Sequence, residues 1–417
     1  MNHSIGLSVH SGLSGNEIFC LSKKNLTPGN LVIGNSVYSM GVLRSVSSAV
    51  RTFVGGEVSE VTRLIADGRQ AAYDRMIAEG SRFRAVGITG VSSELVQHPN
   101  GIEFLSVGSC IHSNSELQWR GKNFSTSADG QQLYCQLDCG FTPLKFAFGN
   151  VAYSMGVGRG ILGAIRSIAR GEVTEYTEIF SQTRHLAIER IKKEAKEVGA
   201  NAVIGIETSI APFMGLQEMT MVGTASHHAL LPPEKLSDPI TSDLTNEEMW
   251  NLVNLGYMPE RLLLGVSVYS LGIVGGIVAG LRNLVRGEQT ELTELIYEAR
   301  ESAIQKIQKE ANECGADQIV GIKTYIYDLG SGLIEFMAIG TAVKKMPELT
   351  TDSPNLIPQA VIRDVDTFTN STEGMRLIDL NTNTQGKPAL MAKMGLLRAV
   401  IIFFGLLMYL FVLKSKI

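Results

Sequence analysis

The chain has 417 residues, of which 19% are charged, and a formal net charge of −4. That length holds two to four ordinary domains, and a charge so near balance excludes the polycationic surface that nucleic acid requires. Five cysteines, Cys20, Cys110, Cys135, Cys139 and Cys314, are too sparse and odd in number for a disulfide framework.

One stretch is spelled three times, at residues 33–57, 148–172 and 264–288. Its glycines Gly34, Gly149 and Gly265 stand 115 and 116 residues apart. A period that long marks a duplicated folding unit. Each unit opens with a short helix carrying a Ser, Asp or Thr cap. That helix ends at Asn25, Gly140 and Gly256, residue types that accept a left-handed C′ position. Pro28, Pro143 and Pro259 follow three residues later and stop it. First strands are expected at 30–37, 145–152 and 261–268. A small-residue helix comes next, closed by Gly56, Gly171 and Gly287, and Glu57, Glu172 and Glu288 open a longer helix.

The longer helix is amphipathic. In the third unit Leu292, Leu295, Ile296, Ala299, Ala303, Ile304, Ile307, Ala311 and Cys314 keep a three-and-four spacing, with Glu298, Gln305, Lys309 and Glu313 opposite. Two strands joined as a glycine-rich hairpin finish each unit, at 318–327 and 333–343 in the third. The expected fold is α+β: three tandem units at 10–112, 124–228 and 241–344, each a small, mostly antiparallel sheet with the long helix on one face. Residues 345–392 are polar and aperiodic and read as a linker.

Gly395 to Leu413 is almost wholly apolar. Nineteen helical residues reach roughly 28 Å, about one hydrocarbon core. The expectation is a transmembrane tail anchor over 393–417, running from Arg398 and Ala399 to Leu413 and Lys414, with Arg398 snorkelling at the boundary. Residues 1–10 have neither a basic start nor a long apolar run, so no signal peptide is expected and the large N-terminal part is expected in the cytoplasm.

Three features resemble the YbjQ-like domain family, which carries a heavy-metal-binding label. They are the glycine-bearing strand leading into a helix that ends Gly-Glu, the amphipathic helix with Glu175 and Arg184, and the runs Gly199-Ala-Asn-Ala-Val-Ile-Gly205 and Gly315-Ala-Asp-Gln-Ile-Val-Gly321 followed by Gly-Thr-Ala. The resemblance covers residues 30–344 in three copies, the first departing at 80–87. It implies ring-like homo-oligomers and units that join edge to edge, and it implies no catalytic residue.

Candidate sites are few. Cys135 and Cys139 are spaced for one helix face, and His227 and His228 follow a strand. A structural zinc site needs four ligands, so the plainer reading is half-buried thiols and edge histidines, with no cofactor. Gly158-Arg-Gly160-Ile-Leu-Gly163 fits a dinucleotide-loop pattern, but the sister units break it. Residues 262–281 are long enough to span a bilayer, but their glycines and the arginines of the sister units favour a strand and a tightly packed helix. Glu60, Glu175 and Glu291 recur with Arg69, Arg184 and Arg300 at equal offsets and are expected to pair between units. The expected function is a membrane-tethered, self-assembling scaffold that is not an enzyme, partnered by itself and a bilayer. The alternative is a metal-handling protein using the cysteines and histidines.

Overall fold

Each unit is built on a long antiparallel hairpin whose second strand is also paired by the unit's first strand. The computed structural model describes residues 9–39, 56–98, 100–113, 123–154, 171–270, 290–330 and 333–362. Unit one contains α1 (Gly15–Lys23), β1 (Leu26–Ser39), β2 (Gly56–Glu57), α2 (Ser59–Arg82), β3 (Gly87–His98) and β4 (Gly101–Ser113). Unit two contains β5 (Phe124–Ser125), α3 (Gly130–Asp138), β6 (Phe141–Ser154), β7 (Gly171–Glu172), α4 (Thr174–Glu197), β8 (Ala202–Phe213) and β9 (Leu216–His228). Unit three contains β10 (Ile240–Thr241), α5 (Asn246–Asn254), β11 (Tyr257–Ser270), α6 (Thr290–Glu313), β12 (Gln318–Gly330) and β13 (Leu333–Lys345).

The short helices form where the caps predict. Ser14, Asp129 and Thr245 each close a capping box with the side chain three residues on, Glu17, Gln132 and Glu248. Asn25, Gly140 and Gly256 take positive φ after each helix, as their residue types allow. The first strands are longer than expected. They begin directly at the turn and include Pro28, Pro143 and Pro259, each beside a register shift against the last strand. A bulge tolerates the missing N–H, so proline ends the helix without delaying the strand.

The long helices have 24 residues each and lie across their own sheets. The strand glycine sets how closely. A Cβ on Gly149 would lie 2.7 Å from the backbone nitrogen of Ile191 and nearer still to the carbonyl of Ala187. Gly34 and Gly265 meet the same turn of their helices, at Ala72 and Ala303. The recurring glycine is therefore a seat for the helix backbone.

The sheets are not confined to their units. Their strand orders are β1-β4-β3-β5, β10-β8-β9-β6-β2 and β12-β13-β11-β7. Two of the three Gly-Glu pairs expected to open the long helices are two-residue strands on the next unit's sheet, and the third, at 287–288, lies outside the described residues. Gly56–Glu57 pairs with Tyr153–Ser154, and Gly171–Glu172 with Tyr269–Ser270. The helices begin two residues later. Conversely, Phe124–Ser125 and Ile240–Thr241 run parallel to the third strand of the preceding unit.

The linker expected from residue 345 starts later than its composition suggests. Leu349 and Ala360 are buried in one cluster with Cys20, Cys135 and Trp250. Gln131 and Asn16 donate hydrogen bonds to the carbonyl of Ile362. Isolated apolar residues anchor this segment, which periodicity cannot reveal. Among the described residues no helix is long and apolar enough to cross a membrane. The expected anchor over 393–417, the small-residue helices and the Gly158–Gly163 motif lie outside the described residues. Of the stretch 262–281, residues through Ser270 belong to β11.

Candidate functional site at the joints between units

Two joints, between units one and two and between units two and three, repeat the same contacts. In the first, Thr62 at the start of α2 accepts a hydrogen bond from the Ala152 N–H at 3.0 Å, and the Val58 N–H donates to the Ala152 carbonyl at 2.8 Å. In the second, Thr177 accepts from the Val268 N–H at 2.8 Å and Val173 donates to the Val268 carbonyl at 2.8 Å. The helices α2 and α4 thus each pack on two sheets, their own and the next unit's. Phe146 and Phe148 of unit two join Val32, Tyr73 and Met76 of unit one in one buried cluster. Leu262, Leu264 and Val268 of unit three join Phe180, Ile188 and Ile191 of unit two.

An arginine on each of α2 and α4 reaches the last strand of the next unit. Arg184 Nε and Nη2 donate to Glu335 at 3.1 and 2.7 Å, with both side chains fully buried. Its guanidinium also lies 4.3 Å from the ring centroid of Tyr153. Burial works against that charge, but the Glu335 carboxylate holds it well above the ordinary arginine value. Arg69 Nη2 meets Glu218 at 3.3 Å, again buried. The pairing between units thus uses carboxylates other than those expected. Glu60 and Glu175 are exposed in the first turns of α2 and α4, away from these arginines' carboxylate partners. Glu291 and Arg300 belong to α6, where Arg300 is exposed. The signal that finds the true partners is the triplet Glu103, Glu218 and Glu335, which recurs on the last strand opposite Val37, Ala152 and Val268.

A second set of ion pairs fastens the strand exchange. Glu57 on β2 meets Arg190 of unit two at 2.5 Å, and Glu172 on β7 meets Lys306 of unit three at 2.8 Å. At the other end Asp138, wholly buried, gathers all three units. It accepts from Lys24 Nζ at 2.7 Å, Trp250 Nε1 at 2.7 Å and Ser353 Oγ at 2.9 Å. Burial raises its carboxyl, but Lys24, Trp250 and Ser353 outweigh that and hold it below the usual carboxylate range.

The metal candidates lie beside this hub. Cys135 and Cys139 are buried, Cys135 in α3 and Cys139 as its C-cap. Burial pushes both thiols far up, and that of Cys20 up to about 12, so none is a thiolate near neutral pH. His228 is buried with Nε2 3.0 Å from the Cys139 carbonyl, and His227 is exposed. Among the described residues no group of three or more His, Cys, Asp or Glu side chains is placed to hold a metal ion. A cavity of about 390 Å³ between units two and three is lined by Ser127, Thr208, Asp243, Asn246 and Lys323. Lys323 Nζ is 3.4 Å from Asp243, which also accepts from Thr341 at 2.6 Å. Neither histidine nor cysteine lines it.

These features define a tandem-repeat protein of α+β units whose strands cross between neighbours. Residues 24–108, 142–229 and 260–346 match the YbjQ family profile, described as "Putative heavy-metal-binding". The chain belongs to that family, in three copies. It is 31% identical over 214 residues to the encapsulin nanocompartment protein Rv1762c of Mycobacterium tuberculosis, covering 49% of this chain and 79% of that one. The UPF0145 protein Ta0182 of Thermoplasma acidophilum is 34% identical over 99 residues, 22% of this chain and 83% of its own. A UPF0145 protein of Thermotoga maritima is 44% identical over 78 residues, 18% of this chain and 74% of its own. None of these names is an enzyme's.

Proposed function

We propose that this chain is a membrane-tethered scaffold that assembles with copies of itself through its YbjQ-like units and performs no catalysis. The observation that carries the reading is the joint. The same surfaces bury the same kinds of contact twice within one chain, so the unit is built to meet another unit. Likeness to a protein named for an encapsulin nanocompartment supports an assembling role. Tethering rests on the apolar run Ala399–Leu413 between Arg398 and Lys414. The assembly is a ring-like or larger homo-oligomer.

Light scattering on the detergent-solubilised full chain tests this: particles of several chains are expected, and a strict monomer at all concentrations refutes it. Flotation of the full chain with vesicles, lost on deleting 393–417, tests the anchor. The metal-handling reading would replace this one if purified protein carried stoichiometric metal that Cys135→Ser and Cys139→Ser removed.

A further inference from the structure

We infer that the two ends of the repeat array are the halves of a third joint, completed head to tail by a second copy of this chain. The long helix α6 of one copy covers the open face of β1 in the next. This rests on the self-assembly reading and names the surfaces that carry it.

The internal joints supply the template. Phe146, Phe148 and Ala152 of β6, and Leu262, Leu264 and Val268 of β11, are buried under the preceding unit's helix. Their counterparts on β1, by the repeat offset, are Leu31, Ile33 and Val37. These are 41%, 50% and 64% exposed. Among the described residues no helix of its own chain is seated on that apolar face; only the segment 10–12 touches its edge, the His10 carbonyl accepting from the Leu31 N–H at 2.6 Å. A row of exposed β-strand apolar residues has a cost in water that a covering helix removes.

The other half is on α6. Thr62 and Thr177, which bind the neighbour's backbone, are buried, whereas their counterpart Thr293 is exposed. Arg69 and Arg184 are buried against glutamates, whereas their counterpart Arg300 is exposed. Tyr297, one turn before Arg300, is 60% exposed. The glutamate that a third joint requires is present on unit one. Glu103 is the counterpart of Glu218 and Glu335, paired across the strand with exposed Val37. In this chain it accepts from Asn35 at 3.0 Å and lies 2.9 Å from His98 Nε2. Those contacts hold its carboxyl below the usual range, so it is ionised and complementary to Arg300.

The sheet edges agree. The middle sheet has both edges capped by neighbouring units, β2 on one side and β10 on the other. Among the described strands, sheet one ends at β1 and sheet three at β12, each lacking one such cap. The counterpart of Phe124–Ser125 and Ile240–Thr241 is Val9–His10, and the edge it would join in the next copy is that of Gln318–Ile319. Apolar face, charge pair and strand edge are thus missing at opposite ends in matching form. A contact of this kind is heterologous, and its repetition either closes a ring or extends a fibre.

Reciprocal charge reversal in the full-length, detergent-solubilised chain tests the joint. Arg300→Glu and Glu103→Arg, each alone, are expected to weaken self-association roughly 100-fold in light scattering, the scale of a broken buried interfacial charge pair. A one-to-one mixture of the two is expected to recover association, because the intact Arg300 of one variant meets the intact Glu103 of the other. Ile33→Asp, on an exposed side chain, is expected to dissociate the assembly while circular dichroism matches the wild type. If the wild type assembles and all three variants assemble with unchanged affinity, this joint is wrong while the scaffold reading stands. If the two folded charge variants stay apart when mixed, the pairing is wrong. If the wild type does not assemble at all, the scaffold reading itself fails.

Discussion

Replacing Gly149 by alanine asks whether the strand glycine really seats the helix. The new Cβ would lie 2.7 Å from Ile191 N and 3.2 Å from Ile191 Cβ, with the Ala187 carbonyl closer than either. Ordinary contact at such atoms is about 3.5 Å, so α4 must lift by roughly 1 Å over a full turn. The obstructing atoms are backbone and cannot rotate away. Nor can α4 retreat, because Leu262, Leu264 and Val268 of the third unit close its far side. Overpacking typically costs about 1–3 kcal/mol, and a helix held on both sides belongs at the upper end, about 3 kcal/mol. With a urea slope of about 3 kcal/mol/M, the unfolding midpoint read by Trp250 fluorescence falls by about 1 M. Gly34→Ala should cost as much, because α2 also lies between two sheets. Gly265→Ala should cost less at monomeric concentrations, because the outer face of α6 is open and the helix can move. Gly15→Ala is the control: nothing lies within 4 Å of its Cβ. A Gly149→Ala protein unfolding at the wild-type midpoint, or a Gly265→Ala protein less stable than it, would refute the reasoning.

Other outcomes follow from the joints and the hub. Glu335→Gln leaves the Arg184 cation buried without its counter-charge and should cost about 3 kcal/mol in urea unfolding, whereas Arg184→Met with Glu335→Leu should lie much closer to wild type. Burial, with Glu17 and Glu247 nearby, pushes the carboxyl of the cap Asp129 up to about 6. The native state then holds a proton that the unfolded chain has lost above its ordinary value of 3.8. Stability should therefore fall by up to about 3 kcal/mol as pH rises from roughly 4 to 6. Asp129→Asn keeps the cap, should abolish that slope and should be the more stable protein at pH 7 in melts across this range. Thiol titration of the native protein should label Cys314 readily and leave Cys20, Cys135 and Cys139 silent until denaturant is added; rapid labelling of Cys135 would contradict its burial.

Much of the unit was legible because its signals are local. Capping boxes and the left-handed Asn25, Gly140 and Gly256 depend on neighbours in sequence. The three-and-four spacing of Leu295, Ala299, Ala303 and Ile307 marks the face of α6 that is buried on its own sheet. What escaped is what passes between units. A two-residue strand such as Gly56–Glu57 has no periodicity to read, so it merged with the helix after it. Arg69 and Arg184 were found by recurrence, but Glu60 and Glu175 recur too and lie nearer in sequence. Only the sheet register shows that the carboxylates reached are Glu218 and Glu335. The segment 346–362 is held by scattered contacts, Ser353 on Asp138 and Leu349 and Ala360 in the core, which composition reads as a tether.

The exchange of edge strands also sets an order on synthesis. The first sheet is incomplete until Phe124–Ser125 leaves the ribosome, and the outer face of α2 stays uncovered until β6 and β9 have formed. A nascent first unit therefore waits, with apolar helix surface exposed, for some hundred further residues of its successor, the length of a unit. The second waits in turn for the third. At roughly 5–20 residues per second each wait lasts several seconds to some tens of seconds, long on the scale of helix and hairpin formation. Neighbouring chains on one messenger would present these surfaces to one another at high local concentration, so pairing between copies can begin before either is released.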